Sequence, residues 1–316
     1  MSEGAIIPTP AAVRSRYHVL HRTEYEYPQS VAVCQNEVRM SPRSFGYVEC
    51  HHNKVTTDPA PTWAGSHVDY FGNNVVSFSI EAMHERLLVT SESEVSVDVP
   101  DYLTIAREPS RDVPWRDVLA GSELWAAAGV DEYAYPSPRI VVNEAMRRYG
   151  AESFGSGATT GSGPSDRGVV AAAFELTARI YSDFKYDPSA TTVATPVAES
   201  FELRRGVCQD FAHVQIAVLR SIGLPAAYVS GYLRTLPPPG QQRLVGADES
   251  HAWCRVYGGP KIGWFDCDPT NASLAGTDHV PIAWGRDYAD VTPMRGVVIG
   301  GGSPTMKVSV DVASVE

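Results

Sequence analysis

The sequence contains no long apolar run and comparatively few basic residues. A membrane-spanning helix needs roughly 20 consecutive apolar residues, and no stretch approaches that length. The first residues also lack the basic segment and apolar core of a signal peptide. Lys and Arg number 26 against 37 Asp and Glu, so the net charge is −11, whereas nucleic-acid binding requires clustered basic side chains. We therefore expect a cytoplasmic protein that binds neither a membrane nor a nucleic acid.

Cysteine is scarce as well. The 316 residues include five cysteines and no Cys-x-x-Cys pair, so neither a disulfide framework nor a cysteine-based zinc site is indicated. One cluster of possible metal ligands is Cys50-His51-His52. Adjacent residues of a strand point to opposite faces, so at most two of these three side chains could share an ion. The sequence predicts neither a metal nor another cofactor.

Hydrophobic spacing divides the first half of the chain into three segments. Residues 1–16 are interpreted as a flexible lead-in. Residues 17–105 alternate apolar and polar side chains, as at Val95, Val97 and Val99, which predicts a small all-β, sandwich-like domain. Residues 106–165 contain short helical patterns and then a stretch rich in Gly, Ser and Thr. This segment is interpreted as a helical linker followed by a mobile loop.

Residues 166–316 hold the clearest patterns. Helical spacing predicts one helix from Asp166 to Ile180 and another from just after Gly206 to Gly223. Short apolar and alternating runs predict strands, at 226–233, 251–257, 264–267 and 306–312. A layout of helices followed by several strands is typical of an α+β domain.

Cys208 stands at the predicted start of the second helix. There the backbone N–H groups and the helix dipole favour a thiolate, and the same N–H groups could bind a developing oxyanion. A cysteine is more often a small buried side chain, so this position alone is only suggestive of a nucleophile.

His251 and Asp268 supply the partners that a nucleophilic thiol requires. His251 opens one predicted strand and Asp268 closes the next. If these strands pair as a hairpin, the two side chains lie near one end of it. A carboxylate beside Nδ1–H would orient the imidazole, and the other ring nitrogen could then deprotonate a thiol. Asp266 is two residues away on the same strand face, so spacing alone does not choose between the two carboxylates.

Three segments around these residues resemble the motifs of one family. The stretch 205–213, Arg-Gly-Val-Cys-Gln-Asp-Phe-Ala-His, resembles the nucleophile motif of bacterial transglutaminase-like proteins. The segments 251–253 and 263–271, which ends Asp-Pro-Thr-Asn, resemble the histidine and aspartate motifs of that family. All three occur in the family's order of Cys, His and Asp.

The resemblance extends to the first half of the chain, where residues 17–27, 39–43 and 69–73 are similar to the N-terminal region that often precedes such cores in bacteria. It implies an α+β, papain-like transglutaminase core behind a small all-β domain. It also implies Cys208, His251 and Asp268 as catalytic residues, because the Asp-Pro-Thr-Asn match favours Asp268 over Asp266.

The implied reaction passes through a thioacyl-enzyme formed from an amide of a protein or peptide substrate. Water would resolve this intermediate in a peptidase or amidase, and an amine would resolve it in a transglutaminase. We expect hydrolysis rather than crosslinking, by analogy with prokaryotic relatives. Two alternatives remain at this point: a catalytically silent binding protein with a vestigial site, and a structural zinc protein using Cys208, Cys254, Cys267 and His251.

Overall fold

The computed structural model describes Ile7 and residues 13–155, 167–235 and 248–315. Seven strands form one antiparallel sheet, which takes strands from both ends of the chain. Its members are β1 (Arg14–Ser41), β2 (Val48–Asp58), β3 (Trp63–Val68), β4 (Asn74–Ile80), β5 (His84–Asp98), β13 (Met294–Gly300) and β14 (Thr305–Ser314).

The long strand β1 organises this sheet. Its first half lies between β5 and β14, and its second half lies between β4 and β13. The pairing register breaks between Glu26 and Val31, a stretch that contains Pro28, which has no N–H to donate. The sheet curls and encloses a core of its own, built from Tyr27, Val31, Cys34, Val38, Met40, Phe78, Ile80, Leu87 and Val89. The predicted all-β N-terminal region is therefore confirmed, in the form of one curled sheet.

The last two strands depart from the predicted segments. Residues 166–316 are predicted to form one α+β catalytic core, yet β13 and β14 pair with β1 of the curled sheet. Alternation along 306–312 is a local pattern and predicts a strand there correctly. It carries no information about the partner, which lies almost 300 residues earlier in the chain.

The segment predicted as a helical linker contributes to the hydrophobic core. Helix α1 (Tyr102–Arg107) begins before this segment and ends inside it. The segment itself contains α2 (Trp115–Ala120), α3 (Trp125–Ala128) and α4 (Glu144–Phe154), and a short 3-10 helix lies between each helix and the next. Trp115, Met146 and Phe154 are fully buried in the main core cluster. Residues 156–166, which include most of the predicted mobile loop and the predicted cap Asp166, lie outside the described residues.

The core domain is an antiparallel sheet packed on helices, as the α+β prediction requires. The strands are β8 (Ala226–Leu233), β9 (Glu249–Tyr257), β10 (Trp264–Asp268), β11 (Ser273–Leu274) and β12 (His279–Gly285), in the order β11-β10-β9-β8-β12. The accompanying helices are α5 (Val169–Asp183), α6 (Val197–Leu203), α7 (Cys208–Ser221) and α8 (Tyr288–Val291). A short parallel pair, β6 (Lys185–Tyr186) and β7 (Arg205–Gly206), precedes α7.

Helix α7 is the central element of this domain. Residues 210–220 are all buried, because α7 packs against β8 and β9 on one side and against α4, α5 and α6 on the other. Most of these buried side chains are apolar, and the polar ones among them are hydrogen-bonded: Asp210, His213, Gln215 and Arg220. The first turn of α7 is an exception, since Cys208 is only partly buried.

The curled sheet and the core domain share an apolar interface. Tyr17 and Val19 of β1 and Val310 and Val312 of β14 pack with Tyr232 of β8. Within the described residues, no helix has the length and apolar character needed to cross a bilayer.

Candidate active site

Cys208 is the first residue of α7, and the local sequence fixes this start. The Asp210 carboxylate accepts hydrogen bonds from the Val207 N–H at 2.9 Å and from the Thr191 hydroxyl at 2.6 Å, so it caps the helix. A Cβ atom at Gly206 would collide with that carboxylate. The Gly-x-Cys-x-Asp spacing therefore holds the thiol at a helix end where backbone N–H groups have no intrahelical acceptor.

His251 bridges Cys208 and Asp268. Its Nε2 donates to Asp268 Oδ2 at 2.8 Å, and its ring also hydrogen-bonds the Cys208 thiol. Because Nε2 is occupied by the carboxylate, Nδ1 is the nitrogen available to the thiol. This is the reverse of the assignment predicted from the sequence, in which Nδ1–H faced the carboxylate. Strand pairing cannot settle this, because the orientation depends on rotation about the side-chain bonds of His251.

The Asp268 carboxylate is completely buried and accepts five hydrogen bonds. Oδ2 accepts from His251, from His279 Nε2 at 3.1 Å and from Asn271 Nδ2 at 2.7 Å. Oδ1 accepts from the backbone N–H groups of Thr270 and Asn271 at 2.9 and 3.3 Å. Burial alone would raise the pKa of Asp268, but the charge of His251 and the hydrogen bonds from both histidines outweigh it and lower the pKa well below its usual range. Asp268 is therefore a fixed negative charge.

His279 is a member of this network that the sequence analysis did not identify. The chain leaves β11 at one edge of the sheet and crosses to β12 at the other, and His279 is the first residue of β12. The Gly276 N–H donates to its Nδ1 at 3.2 Å, so the ring proton must reside on Nε2 and point at Asp268. No local motif marks His279, since only the crossing of the chain brings it to Asp268.

Asp266 has different partners from Asp268. It forms a two-pronged ion pair with Arg255, at 2.7 Å to Nε and 2.9 Å to the terminal nitrogen. Its Oδ2 also accepts from the Tyr47 hydroxyl at 2.9 Å and from the Trp253 indole N–H at 3.2 Å. The hydrogen-bond capacity of Asp266 is thus used within the core, and Asp268 is the carboxylate that contacts His251.

The cysteines do not form a metal centre with these groups. All five are free thiols, and Cys254 and Cys267 are buried opposite each other on β9 and β10. Among the described residues, one group has ligand atoms close enough for a metal ion, namely His251, Asp268 and His279. Each of these atoms already takes part in the hydrogen bonds around Asp268. The Cys50-His51-His52 cluster lies on β2 of the curled sheet, away from this group.

Cys208 and His251 open into a cleft of about 460 Å³ between the core domain and the curled sheet. The core contributes side chains of α7, β8, β9 and α8. The curled sheet contributes side chains of β1, β13 and β14. The thiol is therefore accessible, while the His251 ring and Asp268 behind it are buried.

We expect His251 to be protonated at neutral pH. Burial by itself would lower its pKa, but the negative charge of Asp268 and the hydrogen bonds to Asp268 and Cys208 raise the pKa of His251 to about 10. Burial lowers the pKa of both His21 and His213 to about 4. NMR titration of histidine carbons should therefore show a charged His251 at pH 7 beside two neutral rings.

The Asp268→Asn variant supplies the control for this titration. Removing the carboxylate charge should lower the pKa of His251 toward the value of about 6.5 for a free imidazole. The pKa of His21 and of His213 should not move. A wild-type His251 that loses its proton below pH 6.5 would contradict the electrostatic description of the site.

Comparisons with known proteins agree with the motifs and the geometry. Residues 17–96 match the bacterial transglutaminase-like N-terminal region, and residues 157–269 match the transglutaminase-like superfamily. An uncharacterized protein of Mycobacterium tuberculosis is 36% identical over 100% of this chain and 98% of its own length. One of Mycobacterium leprae is 33% identical, over 94% of this chain and 98% of its own length.

A solved structure shows a similar fold. It is a protein of Cytophaga hutchinsonii, described as a "putative cysteine protease", with a TM-score of 0.72 and 20% sequence identity. The match covers 96% of this chain and 92% of the other. Both the curled sheet and the core are therefore parts of a fold found in another solved protein.

Proposed function

Because the chain belongs to the transglutaminase-like superfamily, we propose that it is a cysteine-dependent enzyme that attacks an amide carbonyl and forms a thioacyl intermediate on Cys208. The observation that carries the proposal is the chain of contacts from the accessible thiol through His251 to the buried Asp268. The three side chains thus supply a nucleophile, an imidazole that exchanges protons with it, and a carboxylate that orients the imidazole.

In the first half of the reaction, His251 Nδ1 holds the proton given up by the Cys208 thiol while the sulfur attacks the carbonyl carbon. The negative charge then develops on the carbonyl oxygen beside the first turn of α7, whose backbone N–H groups stabilise it. The proton on His251 passes to the leaving amine as the C–N bond breaks. The products of this half are a thioester on Cys208 and a free amine.

In the second half, His251 removes a proton from the acceptor, which attacks the thioester carbonyl. When the C–S bond breaks, the proton stays on His251 and the starting Cys208–His251 pair is restored. A water acceptor gives a carboxylic acid, and an amine acceptor gives a new amide. Asp268 stays ionised throughout and stabilises the imidazolium at each stage.

We propose that water is the usual acceptor and that the substrate is a protein or peptide. An amine acceptor such as lysine carries a positive charge, which a carboxylate in the cleft would attract. Among the described residues that line the cleft, the one carboxylate is Asp248. It already accepts hydrogen bonds from the Thr235 N–H at 2.8 Å and from the Val312 N–H at 2.7 Å. Hydrolysis does not require a carboxylate that recognises the acceptor.

A cytoplasmic location stays a prediction.

A panel of Gln- and Lys-containing peptides tests this proposal when cleavage, deamidation and crosslinking are scored side by side. Each reaction should be run with and without an added primary amine. We expect acid products to dominate even when the amine is present. Dominant amine adducts would make the protein an acyltransferase, and no turnover of any amide would favour the silent binding protein.

A further inference from the structure

The apolar face of β14 continues beyond the surface that it buries. Val310 and Val312 are 1% and 0% exposed because they pack against the core domain. Met306 and Val308 lie on the same face of the strand, since side chains alternate with a period of two. They are nevertheless 58% and 47% exposed. The strand thus presents two large apolar side chains to solvent just past the domain interface.

The neighbouring strand extends this surface. Tyr25 of β1 pairs with Met306, and Thr23 pairs with Val308. We call these four side chains the apolar shelf. All four line the cleft that contains Cys208 and His251, so the shelf is part of the wall that the curled sheet contributes to this cleft.

The shelf carries no charge. The charged residues adjacent to it in sequence point to the opposite face of the sheet by the same alternation; they are Arg22, Glu24, Glu26 and Lys307. Among the described residues that line the cleft there is no Lys or Arg, and the one carboxylate, Asp248, already accepts hydrogen bonds from the Thr235 and Val312 N–H groups. A charged substrate group on the shelf would therefore lose its hydrating water without gaining an ion-pair partner. An apolar group has no such hydration to lose.

We propose that the apolar shelf is the specificity site of the enzyme and binds an uncharged, apolar side chain of a peptide substrate next to the scissile amide. This inference rests on the proposed function. It assigns a role to the curled sheet, whose first strand and last strand supply the wall opposite the nucleophile. Exposed apolar surface that continues from a buried interface into a reactive cleft is more typical of a binding site than of ordinary protein surface.

Peptidyl acyloxymethyl ketones test the shelf on the full-length protein, because they alkylate a reactive thiol only after the peptide has bound. The probes should carry Phe, Leu, Lys or Glu beside the reactive ketone and otherwise be identical. We expect Phe and Leu probes to inactivate the protein at least ~10-fold faster than Lys and Glu probes, as a side chain that matches an apolar pocket is typically favoured by that factor. Equal rates for Phe and Glu probes would overturn the proposal.

Variants of the shelf give the second half of the test. Met306→Glu and Val308→Glu should each slow the Phe probe by ~10-fold and speed up the Lys probe. Val297→Glu is the matched control, because Val297 is 68% exposed on the adjacent strand β13 but does not line the cleft. It should leave all four rates unchanged. Shelf variants that behave like this control would also overturn the proposal.

Iodoacetamide separates a failure of this inference from a failure of the proposed function. This small reagent reads the reactivity of the Cys208 thiol in the wild-type protein without contacting the shelf. Fast labelling of Cys208 without selection among the peptide probes would reject the shelf alone. Slow labelling of Cys208 by iodoacetamide would reject the proposed function itself.

Discussion

Replacing Cys208 by alanine is expected to abolish turnover of every amide substrate, with a loss of at least ~1,000-fold in kcat/KM. The sulfur forms the covalent intermediate in the proposed reaction, and the methyl group of alanine offers no nucleophilic atom in its place. The fold should survive the change. The cap of α7 comes from Asp210, and Cys208 is partly exposed, so the thermal unfolding midpoint should move little.

Cys50→Ala is the matched control for this prediction. Cys50 is also a partly exposed free thiol, but it lies on β2 of the curled sheet. Its replacement should leave both turnover and stability close to the wild type. Turnover by Cys208→Ala at a rate near that of the wild type would rule out a thioacyl intermediate on this residue.

Asp268→Asn is expected to lower kcat by ~1,000- to 10,000-fold while the protein remains folded, as is typical when the carboxylate of a catalytic triad becomes an amide. Asn has the same shape but no charge, so it cannot stabilise the His251 imidazolium. Its amide group also offers one acceptor oxygen where the carboxylate offers two. In the wild type, the side-chain donors of His251, His279 and Asn271 all reach Oδ2 of Asp268. In the variant, these donors would compete for the single amide oxygen.

Asp266→Asn should show the opposite pattern. Asp266 neutralises the buried side chain of Arg255, and breaking a buried ion pair from one side typically costs about 3–5 kcal/mol of folding free energy. We expect a clear drop in the thermal unfolding midpoint, while the molecules that stay folded keep most of their activity. The readouts are kcat measured well below the transition, and unfolding followed by circular dichroism.

The pair of variants distinguishes the two carboxylates directly. If Asp266→Asn lost activity without losing stability, and Asp268→Asn did the reverse, then Asp266 would be the residue that acts through His251. That result would contradict the geometry of the site.

The sequence was sufficient for the parts of the site that depend on local spacing. The Gly-x-Cys-x-Asp pattern places Cys208 at the start of a helix because the glycine and the aspartate shape that turn together. His251 and Asp268 could be expected near each other, since β9 and β10 are consecutive antiparallel strands. The helix of 208–221 and the strands 226–233 and 264–268 were predicted within a residue or two for the same reason.

The remaining features depend on contacts between distant parts of the chain. His279 reaches Asp268 because the chain crosses the whole sheet between β11 and β12, and Tyr47 reaches Asp266 from the curled sheet. The pairing of β14 with β1 joins the two ends of the chain. Such contacts are fixed by packing in three dimensions, and the hydrophobic pattern of one segment does not contain them.

The most direct test of the central claim is the rate at which iodoacetamide labels each cysteine of the wild-type protein near pH 7, followed by mass spectrometry of the peptides. Burial raises the pKa of the thiols of Cys34, Cys50 and Cys254, and raises that of Cys267 to about 12, so these four should remain protonated and slow to react. Cys208, which is partly exposed beside a charged imidazole at a helix start, should be labelled at least ~100-fold faster. Labelling of Cys208 no faster than that of Cys50 would contradict the proposal that this thiol is an activated nucleophile.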